Sequence, residues 1–412
     1  MDDRRCFVIV GAGMAGARAA ASLREEGFEG RVVLSGEERV RPYDRVPLSK
    51  NYLRSEPGYH QLFIHDEGFY EEQDIELRLD TRAASIDAVG RVVVLGSGER
   101  LAYDRLLLAT GAQPRHLQVP GSDLDGIHYL RRTTDADRVR DAITVAERIV
   151  VIGAGFIGSE VAASARQMHT EVALVGKGRL PMQRALGNEV ARFYRDLHAA
   201  HGVELHLGVA VEAIRGGSRV EEVVLADGHV LAADTVIVGI GAQPRTELAR
   251  SAGIAFADGI LTDEHLATGI PEIFAAGDAA SAWHPALGRH LRLEHWSSAV
   301  NQGPVAARNM LGMPTGYDRI PFFFTDQYAV WMEYTGYETE GADLVFRGDP
   351  ADGESAEFIA FWLRGEKLVA GMNVNIKGVP DTIAALVRAG RRLDRAALAD
   401  PEVELASLLS PG

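Results

Sequence analysis

The sequence is poorest in cysteine. One thiol, Cys6, stands in 412 residues. That excludes a disulfide framework, a cysteine-ligated zinc or iron–sulfur centre, and any dithiol active site. Lysine is also scarce: of 43 basic residues only Lys50, Lys177, Lys367 and Lys377 are not arginine. In a chain that prefers arginine so heavily each lysine is mildly informative, although a GC-rich genome with a few leftovers accounts for some of them. No run approaches the ~18–20 apolar residues of a membrane helix. The N-terminus is acidic, then basic, and its apolar run Phe7–Val10 is too short for a secretion signal. A cytoplasmic protein without a membrane partner is expected. Positive charge is in deficit, 43 Lys+Arg against 58 Asp+Glu for a net −15, which argues against nucleic-acid or anionic-membrane binding. No metal site is expected.

What is present is an ordinary folded composition, 46% apolar and 25% charged, with 44 glycines. At ~100–200 residues per domain, the length implies two or three domains. The organising signal is an internal repeat. Gly11-Ala-Gly13-Met-Ala-Gly16 recurs as Gly153-Ala-Gly155-Phe-Ile-Gly158, each after a short apolar run and before an alanine-rich helical stretch, 14–26 and 156–168. A second strand follows each, at Arg31–Leu34 and Glu171–Val175. Further on, Leu106–Arg115 resembles Val236–Arg245, and both end in GAQPR. Two doubly wound βαβ folds of one ancestry are implied. Each carries hairpin-like material, at Val92–Leu95 with Arg100–Tyr103 and at Val220–Ala226 with His229–Leu231. A helix is expected near 296–311. Beyond a boundary near Pro314–Pro321 the character changes: Phe322-Phe323-Phe324, strand-like stretches 327–332, 356–363 and 367–374, then helices near 380–389 and 394–398.

A lone GxGxxG is weak, but a pair in strand–turn–helix context is not. The glycines allow the tight turn, bring backbone to a pyrophosphate and seat the helix, whose N-terminus faces the phosphate charge. After the second strand the first copy places Glu37, suited to a ribose diol. The second places Gly176-Lys177-Gly178-Arg179 and no acid. Lys177 and Arg179 would attract the 2′-phosphate that a carboxylate repels. The second site therefore leans toward NADPH, with solvated charges in a surface turn as the alternative.

At Arg41-Pro-Tyr43-Asp-Arg45-Val-Pro-Leu-Ser49-Lys50 the sequence resembles the PYxRPPLSK stretch of bacterial FAD-dependent NAD(P)H:ferredoxin reductases. These are the putidaredoxin-reductase-like enzymes of P450 and ring-hydroxylating oxygenase systems. The likeness runs the whole length, through Ala109-Thr110-Gly111, Gly153–Glu160, Ala276-Gly277-Asp278, Glu294-His-Trp296 and Phe322–Tyr328. Val46 departs from the family's proline, and Gly176-Lys177 from its NAD-type acid. The resemblance implies two Rossmann-like α/β domains plus a C-terminal α+β interface domain. FAD would bind residues 1–112 and 245–317, NAD(P) residues 113–244, and the interface domain would span 318–412.

By position the resemblance gives Gly11, Gly13, Gly16 and Glu37 the adenosine end and pyrophosphate of FAD. Ala15, Ala109, Thr110, Gly111 and Gly277 count with the cofactor-binding residues, as do Gly153, Gly155, Ile157, Gly158 and Gly241 on the coenzyme side. Arg45, Lys50 and Arg131 should contact FAD, and Ala83 the adenine. Asp278 should hold the ribityl chain and Trp296 should lie by the isoalloxazine, with Phe322 and Phe324 closing the pocket or simply packing in the core. Lys50 and Glu160 are the expected catalytic pair beside flavin N5, Glu160 being placed on the first helical turn, where dipole complementation is the plainer role. Lacking a dithiol, reduced FAD would pass electrons straight to an external one-electron carrier, a [2Fe–2S] or similar ferredoxin. Arg289-His290-Leu-Arg292 and Arg388/Arg391/Arg392/Arg395 are its candidate docking patches. The rival expectations are a rubredoxin reductase, an NAD(P)H oxidase, or an apoptosis-inducing-factor-like redox-sensing binding protein; monomer and homodimer both remain open.

Overall fold

Alternate residues of one apolar strand feed two different cores. In a computed structural model describing residues 5–56, 62–337 and 339–410, Phe7 and Ile9 of the strand Cys6–Val10 sit in one buried cluster and Val8 and Val10 in another. A strand buried on both faces belongs in a parallel sheet. Residues 1–4 of the N-terminal reading lie outside the described residues. The chain divides into two compact units, crossing between them at 44/45, 59/60, 113/114, 241/242 and 319/320. Two of those crossings fall within the GAQPR copies.

The first unit holds Met1–Asp44, His60–Gln113 and Ala242–Arg319. Its parallel sheet runs Ile273–Ala275, Arg105–Leu108, Cys6–Val10, Arg31–Ser35, Ile75–Arg78, with Val8 opposite Val33 on one side and Leu106 on the other. One face carries the helices Met14–Glu25 and Trp296–Met310. They approach closely because Gly303 lacks a side chain: a Cβ there would stand 2.5 Å from the Ala15 carbonyl oxygen. The other face carries the three-stranded meander Ala83–Asp87, Val92–Leu95, Arg100–Ala102.

The second unit holds Arg45–Tyr59, Pro114–Gly241 and Ile320–Gly412. It repeats the plan: a parallel sheet Glu204–Leu207, Glu171–Gly176, Arg148–Ile152, Thr235–Val238, Ile127–Tyr129, with helix Phe156–Gln167 and the meander Val211–Gly216, Val220–Leu225, Val230–Ala232. The same unit contains an antiparallel sheet ordered Phe322–Gln327, Val330–Gly336, Lys367–Val374, Phe358–Arg364, Asp343–Arg347. Helix Gln183–Ala200 covers one face through Leu186, Val190, Phe193 and Tyr194. Helix Pro380–Ala389 covers the other through Ile383 and Leu386.

The antiparallel sheet differs from the sequence reading in three details. The phenylalanine run is itself a strand, and the strand expected over 327–332 is broken by a turn at Tyr328-Ala329. The strand Asp343–Arg347, unread in the sequence, closes the sheet edge.

Candidate functional site

The two glycine loops are built alike. Gly11 and Gly153 take φ +117° and +114°, and a Cβ would strike the carbonyl oxygen of Ala109 at 2.0 Å or of Gly239 at 2.3 Å. Gly16 and Gly158 let each helix sit on its loop, a Cβ falling 1.9 or 1.8 Å from the Gly11 or Gly153 carbonyl. The middle glycines differ. Gly13 and Gly155 have ordinary extended backbone, and a Cβ on either would meet nothing within 4 Å. These two glycines are the N-caps of Met14–Glu25 and Phe156–Gln167; no side chain caps either helix, and no acid stands in either first turn. Two cradles into which no side chain projects, each facing uncapped helical N–H groups, fit the pyrophosphates of two dinucleotides.

Around the first cradle, Ala15 is buried and Gly277, at φ +75°, would bring a Cβ to 3.0 Å from the Ala15 methyl, so the Gly277-Asp278 turn lies beside the loop. The Gly277 N–H donates to Gln302 Oε1 at 2.8 Å. Glu37 follows Arg31–Ser35 and both its oxygens accept from Arg245, at 2.7 and 3.0 Å. Arg245 belongs to the second GAQPR and also receives the Thr110 hydroxyl at its carbonyl. Its N–H donates to the Gly111 carbonyl. Ala83 and Ala109 are buried. The Trp296 indole is 39% exposed and donates to Asp44 at 3.0 Å.

The second unit holds the rest. Strand Glu171–Gly176 delivers Lys177 and Arg179, both exposed, to a loop whose Gly176 and Gly178 carbonyls accept from the Gly208 N–H. Ile157 is 46% exposed beside the open Gly155 cradle, and Gly241 takes φ +98°. Arg45 donates to the Arg131 carbonyl at 2.7 Å.

Lys50 ends the short 3-10 turn Val46–Ser49 and is buried. Its Nζ lies 3.0 Å from Glu160 Oε1, 4.0 Å from Asp326 Oδ2 and 5.2 Å from the Phe324 ring centre. Glu160, 4% exposed, also accepts from Ser49 Oγ at 2.5 Å and Thr325 Oγ1 at 2.7 Å. The helix begins at Phe156, so Glu160 sits beyond the first turn, out of place for dipole complementation, and pairs with Lys50 instead. The half-exposed Asp326 carboxyl is pushed above the usual carboxylate range by partial loss of water, with Lys50 opposing and Glu160 adding. Strand alternation in Phe322–Gln327 turns Thr325 and Gln327 inward and Phe322, Phe324 and Asp326 to the opposite face. Ser49, Thr325 and Arg245 went unassigned in the sequence although they stand in motifs quoted above; period-two alternation was the signal for Thr325.

Four of the expected docking arginines have local partners. Arg292, its side chain 11% exposed, pairs with Asp258 and Glu294. Arg392 pairs with Glu366, Arg395 with Asp343, and Arg391 donates to the Leu409 carbonyl. Charge reversal at Arg292 would break two local pairs, so a docking test there has to be read against the loss of those pairs. Among the described residues no group of three or more His, Cys, Asp or Glu could hold a metal, and no helix is long and apolar enough to cross a membrane.

The pyridine nucleotide-disulphide oxidoreductase family model matches residues 6–303. The chain belongs to that family. A reductase C-terminal model matches residues 322–409 of this oxidoreductase. It is 39% identical over 407 residues, 98% of its length and 99% of the relative's, to the ferredoxin–NAD(+) reductase component of the anthranilate 1,2-dioxygenase system of Burkholderia cepacia. Among solved structures it matches the ferredoxin reductase for the CYP199A2 system of Rhodopseudomonas palustris with a TM-score of 0.94 and 36% identity, covering 98% and 100% of the two chains. It matches the covalent putidaredoxin reductase–putidaredoxin complex with a TM-score of 0.94 and 33% identity, covering 98% of each. As a pyridine nucleotide-disulphide oxidoreductase it uses FAD with NAD(P)H as electron donor. The disulphide of the family's name has no counterpart in this chain: its sole thiol, Cys6, opens the first strand, and burial raises that thiol's pKa.

Proposed function

We propose that this flavoprotein draws electrons from NAD(P)H and delivers them one at a time to a small iron–sulfur ferredoxin, of [2Fe–2S] or similar type, that feeds an oxygenase. The observation that carries the reading is the pairing of two open dinucleotide cradles with a single cysteine in the whole chain: no sulfur relay exists, so the acceptor must come from outside. The relatives, a ferredoxin–NAD(+) reductase component and a putidaredoxin reductase held in complex with putidaredoxin, support the same acceptor class. When bound, FAD supplies the exchange between a two-electron donor and a one-electron acceptor. The protein's own groups do the remainder. Gly13 and Gly155 leave room for the pyrophosphates, and Glu37, fixed by Arg245, offers its carboxylate to the adenosine ribose. Lys50, with Glu160 setting its position, provides a compact positive charge for the reduced flavin. Asp278, Trp296, Arg45 and Arg131 complete the flavin's surroundings.

The deciding experiment is anaerobic reduction with NAD(P)H followed by rapid mixing with ferredoxin, rubredoxin, quinone or air. Reoxidation by ferredoxin is expected to be the fastest; a rate no better than with air would overturn the acceptor assignment. Coenzyme choice has its own test. Lys177 and Arg179 stand exposed just past the strand Glu171–Gly176. Replacing both with alanine should raise KM for NADPH about tenfold and leave NADH nearly unchanged; equal effects on both coenzymes would remove the phosphate-binding role.

A further inference from the structure

The mechanism above makes no use of a buried histidine that is wired to its centre. His198 lies on helix Gln183–Ala200, is 0% exposed, and burial pushes its pKa down to about 4, so the ring is neutral. Its Nε2 lies 2.9 Å from Gln327 Oε1 and its Nδ1 3.1 Å from the Tyr328 hydroxyl. An amide oxygen only accepts, so Nε2 carries the proton and Nδ1 accepts from Tyr328. Gln327 Nε2 then donates to Thr325 Oγ1 at 3.2 Å. Gln327 thus takes one of the hydroxyl's two lone pairs, and the Thr325 proton goes to Glu160 Oε1, a carboxylate oxygen that only accepts, at 2.7 Å. Each donor in the series points toward the Glu160 carboxylate, and none can reverse without reversing its neighbours.

The far end of the series is held at a cost. Tyr328 takes φ +59°, a left-handed conformation unfavourable for a bulky residue. What it obtains is a ring stacked on His201, centroids 3.6 Å apart and nearly parallel, with its hydroxyl against His198. The neutral imidazole cannot serve as a charge partner. The Gln327 amide also makes the series a poor proton path, since an amide does not readily pass a proton through. Orientation is what the arrangement can transmit.

We propose that His198 is a positioning residue for the Lys50–Glu160 pair: through Gln327 it fixes Thr325 as a donor to Glu160 and thereby holds the Lys50 ammonium in one place. The inference rests on the reading of Lys50 and Glu160 given above. Its test compares His198→Leu with His198→Gln, whose amide nitrogen can reach the place of Nε2, and both with Thr325→Val. Three measurements are made on the flavin-loaded protein: the flavin midpoint potential, the rate of flavin reduction at saturating NAD(P)H, and the coenzyme Kd. Nitrogen NMR of the histidines, with His198→Gln assigning the signal, reads the tautomer directly. The expected wild-type form is the neutral ring protonated at Nε2. In His198→Leu and Thr325→Val the potential should move negative and the reduction rate fall about three- to tenfold, with coenzyme Kd unchanged. His198→Gln should recover both. The double variant should be no worse than Thr325→Val alone, because one residue acts through the other.

An unmoved potential and rate in His198→Leu would overturn the proposal, as would additive effects in the double variant or a ring protonated at Nδ1. Should the leucine variant not fold, Gln327→Met cuts the same series one link further on and is judged by the same readings. Failure of the underlying reading looks different: Lys50→Ala itself would then leave potential and rate untouched, while the tautomer would still report the wiring.

Discussion

Gly13→Leu should yield a folded, colourless protein, and Gly155→Leu a folded, yellow one that neither nicotinamide coenzyme reduces. Both positions have φ and ψ that any residue adopts, and a Cβ at either meets no atom within 4 Å. The protein therefore tolerates the side chain, and what is displaced is the ligand. The neighbouring glycines set the contrast. Gly16→Ala and Gly158→Ala place a methyl 1.9 and 1.8 Å from a backbone oxygen and force helix from loop, costing about 3 kcal/mol of stability whether or not ligand is present. Visible absorbance after gel filtration, circular dichroism and anaerobic titration with NADH and NADPH separate these outcomes. A Gly13→Leu protein that stays yellow would remove the first cradle from flavin binding.

The second large effect is at Lys50. Lys50→Ala should keep its flavin but be reduced by NAD(P)H about a hundredfold more slowly, the loss expected when one preset charge is taken from a reacting centre. Lys50→Arg should restore little, because a planar, forked guanidinium does not replace a compact ammonium in a site closed by Ser49, Glu160, Thr325 and Phe324. The partner gives a different result. Glu160→Leu strands an enclosed ammonium with the half-exposed Asp326 at 4.0 Å, which should cost about 3–5 kcal/mol in addition to activity. Stopped-flow flavin bleaching and thermal melting read the two quantities apart. Unchanged bleaching in Lys50→Ala would end the functional assignment of the pair.

Much of this was open to reading because the informative residues are local. A GxGxxG after a strand fixes a turn and a helix within a dozen residues, and the alanine-rich stretches after Gly16 and Gly158 are helices within one residue of the expected ends. The doubled GAQPR marked two copies of one plan. What escaped was set by tertiary context. The turn at Tyr328-Ala329 carries no glycine, asparagine or proline; it forms because the tyrosine ring finds His201 and its hydroxyl finds His198. His198, one histidine on an apolar helix face, reads as core packing until Gln327 is seen opposite it. The docking arginines looked basic in sequence, while Asp258 and Glu294, distant from or merely beside Arg292 in the chain, become its partners only on folding. Strand Asp343–Arg347 was legible in hindsight, flanked as it is by Gly341 and Gly348.

The lone thiol has a consequence for control. Cys6 opens a parallel strand, and burial makes its thiolate harder to form. Peroxide, alkylating agents and glutathione disulfide all act on accessible thiolates. This chain offers such reagents a single thiol, half-buried and held toward its protonated form, so treatment with them should leave its coenzyme-driven flavin reduction nearly unchanged.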